Sequence, residues 1–501
     1  MEKKLNVAQK ATLAIIFLLA AFAALVVLSA GIRSNIISLA GTVFFGELAA
    51  DAQYCNAMLI SNALKFELLL VYAAIATIFF GKFKNLFFHD YKTFFSICII
   101  AFFVTSNMAI IASRFFVGYG SVWDFGDFLQ LEYYAKAPLN GTNYPPLAVI
   151  FHKLLYLFVP SVAGVEKSFS INYLLNLYIL GTALSLFILF FSSIDGTNRQ
   201  KIFYSAVMFL TGPILFAYER MNIIFISLIG TLVFVLFYPS KNKWLKEFAL
   251  ISLAVAANIK LFPAVFGALL LKEKKWKEAV RAALYGIAMF VIPIFISNFL
   301  PQQKIASIEA SPVQAKIIQA NYNNDSVEIT TPHVSIVDNA KTFFENSKSF
   351  TENPKVMTSI SIKAITYRLL SNFSIKNKVA KVILILSVII SFVSSLFCFF
   401  IAQRQYQSML MLSFLCIFIP TSSAWYGLIF LVIPLLFYFS DSTKTKIDGI
   451  VSIFFILIFV YCFGYFKFLQ PQSCWHIVCL WLITMCDIMY TRFFKKENKN
   501  K

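Results

Sequence analysis

Charge is what this chain has least of. Asp, Glu, Lys and Arg make up only 13% of 501 residues, and the shortage is uneven, with 24 acidic residues against 43 basic ones. With 59% hydrophobic residues and a mean hydropathy of +0.76, there is too little polar surface for an ordinary soluble globule. The chain also lacks the apolar and polar alternation that a membrane β-barrel needs. What remains is an all-α polytopic membrane protein, because a helix satisfies its backbone polar groups within one segment when no water is present. The eight cysteines form no CxxC pair and mostly sit in apolar runs, so neither a metal site nor a disulfide framework is expected. No convincing internal repeat is visible, which weighs against a transporter with duplicated halves.

The charge that is present sits in short Lys/Arg clusters between apolar runs. A net +19 distributed this way is first a topology signal and second an attraction to membrane lipids; no nucleic-acid partner is expected. The start, MEKKLNVAQK, is basic and leads into the apolar run Ala11 to Ile32, too long for a signal-peptide core and read as a retained helix. From a cytoplasmic N-terminus, residues 1–113 are N-terminal transmembrane helices and 114–170 an external acidic loop with an amphipathic helix. Residues 171–300 are further transmembrane helices, 301–378 an external polar loop, 379–490 the C-terminal helices and 491–501 a basic cytoplasmic tail. Within the third region, 248–271 is bounded by Lys at both ends and contains Lys260 and Pro263. Positive charge on both sides predicts a re-entrant hairpin or two short helices rather than one span. The total is about 12–14 transmembrane or re-entrant helices, with both termini cytoplasmic.

Candidate chemistry centres on Trp123 to Leu147, WDFGDFLQLEYYAKAPLNGTNYPPL. Asp124 and Asp127, three apart, would approach one site from a helix. A carboxylate at a low-dielectric boundary can take a proton from an attacking hydroxyl. Taken alone, the pair reads first as solvated loop acids or a helix cap, since two acids are a weak signal. Tyr144, before Pro145 and Pro146, reads as an interfacial aromatic at a helix start, and His152 in that helix as a packing residue. Arg220 offers a planar fork for phosphate, and Glu219 and Asn222 flank it at an outer turn. Lys260 is a candidate because a cation at membrane depth is expensive to desolvate, although snorkelling to an interface would also explain it. Trp425 and Tyr426 suit sugar stacking but also the ordinary aromatic belt.

In order along the chain, four stretches carry a resemblance. Asp124-Phe125 leads to Tyr144-Pro145-Pro146-Leu147, and Glu219-Arg220-Met221-Asn222 follows. Then come Ala257-Asn258-Ile259-Lys260-Leu261-Phe262-Pro263 and Pro420 with Ser423, Trp425 and Tyr426. Over roughly residues 94 to 440 this set resembles glycosyltransferase family 87 of the C-type superfamily, the polyprenyl-phosphate-mannose-dependent mannosyltransferases. Where the family pattern often carries Gly before Asn, this chain has Met221. The resemblance implies inverting transfer of a hexose, mannose or similar, from a polyprenyl-phosphate sugar to a hydroxyl of a lipid or glycan acceptor. It places the active site on the external face of the plasma (inner) membrane. Either Asp124 or Asp127 would be the base, with Asp124 favoured. Tyr144, Glu219, Arg220, Asn222, Lys260, Trp425 and Tyr426 would bind substrates, with no cofactor beyond the lipid-phosphate sugar itself. A flippase of lipid-linked sugar and a polysaccharide polymerase or ligase are the competing readings.

Overall fold

Every regular element among the described residues is a helix; these residues are 7–45, 52–117, 144–157, 167–299, 341, 360–371, 377–420, 425–441, 445–460 and 470–494 of a computed structural model. Among them, five helices are long and apolar enough to cross a membrane: Val7–Leu28, Leu174–Ser193, Trp276–Ile296, Lys378–Ile401 and Trp475–Phe494. Two bent pairs, Leu70–Ile78 with Phe80–Phe87 and Asn198–Phe209 with Gly212–Tyr218, raise the number to seven. The chain is an all-α polytopic membrane protein, as its composition predicts. The expected 12–14 also takes in apolar helices of 10–17 residues, such as Ile224–Phe237 and Gln405–Phe418, which fall short of the ~20 residues that span hydrocarbon.

The helices form two compact units. One comprises Met1–Phe125, Ala183–Asn222 and Val356–Lys501. Its centre is the Gln405–Phe418 helix, buried at every position from Tyr406 to Phe418. An apolar helix hidden all round marks the middle of a bundle. Beside it, Asn377–Ile401 exposes Val379, Val382, Leu386, Ile389, Val393 and Phe397, a stripe at three- and four-residue spacing that suits lipid. The opposite face buries Ser391 and Ser395, and the Trp481 indole donates to the Ser395 hydroxyl at 2.9 Å. At one end of the unit, Arg404 pairs with Asp441 (2.8 Å) and Asp448 (2.8 Å). The Tyr406 hydroxyl also donates to Asp448 (2.9 Å), so this deeply buried carboxylate is paired and hydrogen-bonded, as burial requires.

The second unit comprises Gly126–Thr182 and Ile223–Lys355. Its core helix is Ile224–Phe237, IFISLIGTLVFVLF, which runs against Lys243–Ile259. Gly230 permits the close approach: a Cβ there would lie 2.6 Å from the Ser252 carbonyl oxygen. The Ser227 hydroxyl donates to the Ala256 carbonyl across the same seam at 2.8 Å. Small residues at a helix crossing, with a hydroxyl as glue, are how helices associate in lipid.

The chain then turns back on itself. Lys243–Ile259 ends at Lys260, whose backbone is extended (φ −141°, ψ 126°). A 3-10 turn, Phe262–Gly267, and a short helix, Ala268–Lys272, follow, and Gly267 lies against Leu253 of the limb just left. By Glu273 the chain is level with its departure point. The Tyr238 hydroxyl donates to the Glu273 carboxylate, while Lys275 pairs with Glu273 at 2.6 Å and lies 4.8 Å over the Tyr238 ring. The first turns of Lys243–Ile259 and Trp276–Phe299 are joined there too: Glu247 binds Arg281 and accepts from Tyr285 at 2.8 Å. Burial acts to raise the Glu273 carboxyl, but hydrogen bonds from Lys275 and Tyr238 and the charges of Lys275 and Lys272 hold it below its ordinary value.

Candidate functional site

The limb sets the depth of Lys260. Its seventeen residues, at 1.5 Å each, carry Lys260 about 25 Å from the level of Lys241 and Lys243, most of the ~30 Å of a hydrocarbon core. The position is fastened by Asn258, 4% exposed, whose side-chain amide donates to the Ala254 carbonyl (2.9 Å) and to the Gly286 carbonyl of the neighbouring helix (3.0 Å). Lys260 also stands at the C-terminal end of a helix, where unsatisfied carbonyls favour a cation.

Among the described residues, Lys260 meets Tyr144. The ammonium lies 4.2 Å from the centroid of the Tyr144 ring, inside the range of a cation–π contact. Tyr144 is held from three sides. Pro145 forces it extended, and the Pro145 carbonyl accepts from the backbone N–H of Ala148 (3.0 Å) and Val149 (3.3 Å), opening the Pro146–Leu157 helix with Pro146 at its first position. Tyr144 packs on a buried cluster of Ala148, Ile223 and Ile259. His152, 3% exposed, meets the ring edge-on at 5.9 Å. The His152 Nδ1–H donates to the Ala148 carbonyl at 2.7 Å, which assigns the tautomer, since a carbonyl only accepts.

The other unit gathers a second group of the predicted residues. Glu219 and Arg220 end the Gly212–Arg220 helix, which packs on the 3-10 turn Trp425–Leu431. Arg220 and Tyr426 are half-buried; the side chains of Glu219 and Trp425 lie outside the described residues. Met221 occupies the left-handed region (φ 49°, ψ 44°). Its N–H reaches the Tyr218 carbonyl (3.1 Å) and the Asn222 N–H the Ala217 carbonyl (3.3 Å), the Schellman end in which glycine is the usual left-handed residue. Asn222, 1% exposed, is therefore the residue after a helix stop.

Asp124 and Asp127 lie outside the described residues. Sequence reading passed over Asn258, and His152 is the packing residue it expected. Asn258 had a signal, since it precedes Lys260 by two in the quoted motif. Among the described residues no group of three His, Cys, Asp or Glu side chains is arranged to hold a metal ion.

The family model described as glycosyltransferase family 87 matches residues 142–434. That span contains Tyr144, Glu219, Arg220, Asn222, Lys260, Trp425 and Tyr426 and begins after the two aspartates. No curated protein and no solved structure matches.

Proposed function

Because the chain belongs to glycosyltransferase family 87, we propose that this membrane glycosyltransferase moves a hexose, mannose or a close relative, from a polyprenyl-phosphate donor to a hydroxyl of a lipid or glycan acceptor. The observation that carries the reading is Lys260: a cation at a helix break, a limb's length from the basic ends, in the same unit as the chain that leaves the acidic loop. A departing lipid phosphate needs little protonation but does need a positive partner. We assign Lys260 to that phosphate. In the other unit the family resemblance makes Arg220 a candidate, its guanidinium fork suited to phosphate oxygens, with Glu219 and Asn222 beside it and Trp425 and Tyr426 as aromatic candidates for a sugar.

The reaction is a single displacement with inversion. Asp124, or Asp127 in its place, takes the acceptor's hydroxyl proton as that oxygen attacks the anomeric carbon. The bond from that carbon to the phosphate oxygen breaks, and polyprenyl phosphate leaves with the electron pair. No cofactor enters, because the donor already carries a good leaving group. The site opens to the external face of the plasma (inner) membrane, with both termini cytoplasmic.

The test is direct. Purified protein incubated with polyprenyl-phosphate hexoses and a lipid extract should yield, by mass spectrometry, a product one hexose heavier. Movement of donor across a bilayer without a new glycosidic bond would replace the transferase reading by that of a flippase. Asp124→Asn should lower the rate by at least about 10²-fold with the fold retained; unchanged rates in both Asp124→Asn and Asp127→Asn would exclude a carboxylate base.

A further inference from the structure

We propose that Tyr144 is a positioning residue that acts through Lys260, holding the ammonium where the donor phosphate docks, rather than a surface on which the sugar stacks. The proposal rests on Lys260 being the phosphate contact. A lysine chain has four rotatable bonds and a mobile point charge, so an unguided ammonium at a helix break would sample many directions. Here the ammonium lies 4.2 Å from the Tyr144 ring centroid, in the attractive field over an aromatic face.

The ring is itself immobilised. Its backbone is restricted by Pro145, its body rests on Ala148, Ile223 and Ile259, and His152 closes one edge at 5.9 Å. These supports come from the chain around the break, from the helix that Pro146 opens and from Ile223 at the start of the Ile224–Phe237 helix. The Tyr-Pro-Pro-Leu motif and the Asn-Ile-Lys motif are therefore two halves of one device. The first sets a ring, and the second sets a charge against it. The energy of such a contact decides that the effect is on affinity: a partly desolvated cation–π pair corresponds to a change of about three- to thirtyfold in a binding constant.

The experiment uses the full chain in nanodiscs and two probes, a polyprenyl-phosphate hexose and sugar-free polyprenyl phosphate. Tyr144→Leu, which keeps apolar contact with the cluster, should weaken both probes by about tenfold, while Tyr144→Phe should bind both as the parent does. Lys260→Ala should weaken both, and adding Tyr144→Leu to Lys260→Ala should change nothing more. Phenylalanines carrying successive ring fluorines at position 144 keep the shape and drain the face of negative potential, so affinity should fall stepwise. A merely structural ring would not produce that series.

Loss confined to the sugar-bearing probe would overturn the proposal in favour of stacking, and so would a flat fluorine series. If Lys260→Ala weakens binding while Tyr144→Leu does not, the positioning role alone fails and the phosphate contact stands. If Lys260→Ala binds both probes normally, the phosphate contact fails and the positioning role with it.

Discussion

Met221 shows how a single backbone angle separates a motif from its usual form. A side chain in the left-handed region costs roughly 1 kcal/mol relative to glycine, and yet Met221 is 2% exposed, so its side chain offsets that strain by packing. Met221→Gly should relieve the angle and lose the packing, lowering stability by about 2 kcal/mol net, read as a fall in melting temperature. The departure from the family pattern at this position was legible as a missing glycine. That the position is the left-handed stop of the Gly212–Arg220 helix was not, because φ follows from tertiary packing that propensity does not encode. Lys260 differs in kind: a lysine inside an apolar run announces itself. Its aromatic partner, more than a hundred residues earlier, does not, since no local rule links Tyr144 to Lys260.

Among the elements, the seam between Ile224–Phe237 and Lys243–Ile259 governs the site at a distance. Gly230→Val would drive branched carbons into the Ser252 carbonyl, a backbone atom that cannot swing aside. We expect destabilisation of about 2–3 kcal/mol together with weakened donor binding, because Lys243–Ile259 carries Lys260; thermal melting and titration with polyprenyl phosphate measure the two. The far end of the return limb is fastened electrostatically. Since the Glu273 carboxyl is held below its ordinary value, its contribution is present above the ordinary carboxylate pKa of ~4.3 and is lost as pH falls through the lower folded value. The gap in melting temperature between the parent and Glu273→Gln should therefore be open at pH 7 and close as the medium is acidified below about pH 4. Apolar runs announced these helices, but not where they bend. The apolar stretch 202–217 is continuous in sequence, and yet it is divided between Asn198–Phe209 and Gly212–Tyr218, bent by 59°, with Pro213 in the first turn of the second piece. The Gly212-Pro213 pair was the available sign of that break.

At the scale of the whole molecule, composition alone was enough for the class. Hydropathy and helix geometry agree because hydrocarbon leaves the backbone so few options. The Lys and Arg clusters carry the expectation of topology for the same physical reason that makes charge scarce: a cation stays where water is. The two aspartates were legible only as acids in a loop, since nothing local to Asp124 or Asp127 says which faces an acceptor. Lys243 and Lys274 flank the limb that runs up to Lys260 and back, both exposed. Single cysteines replacing them in a cysteine-free background should therefore react with an impermeant thiol reagent from the same side of the membrane; labelling from opposite sides would make the segment one crossing. An excursion that starts and ends at one level also adds nothing to the parity of the chain. Deleting or lengthening an ordinary span reverses the orientation of everything after it, but this limb can change length or be lost and leave each later helix facing as before. For the segment bearing Lys260, the constraint on variation is thus its packing against Ile224–Phe237 and Trp276–Phe299 rather than topology.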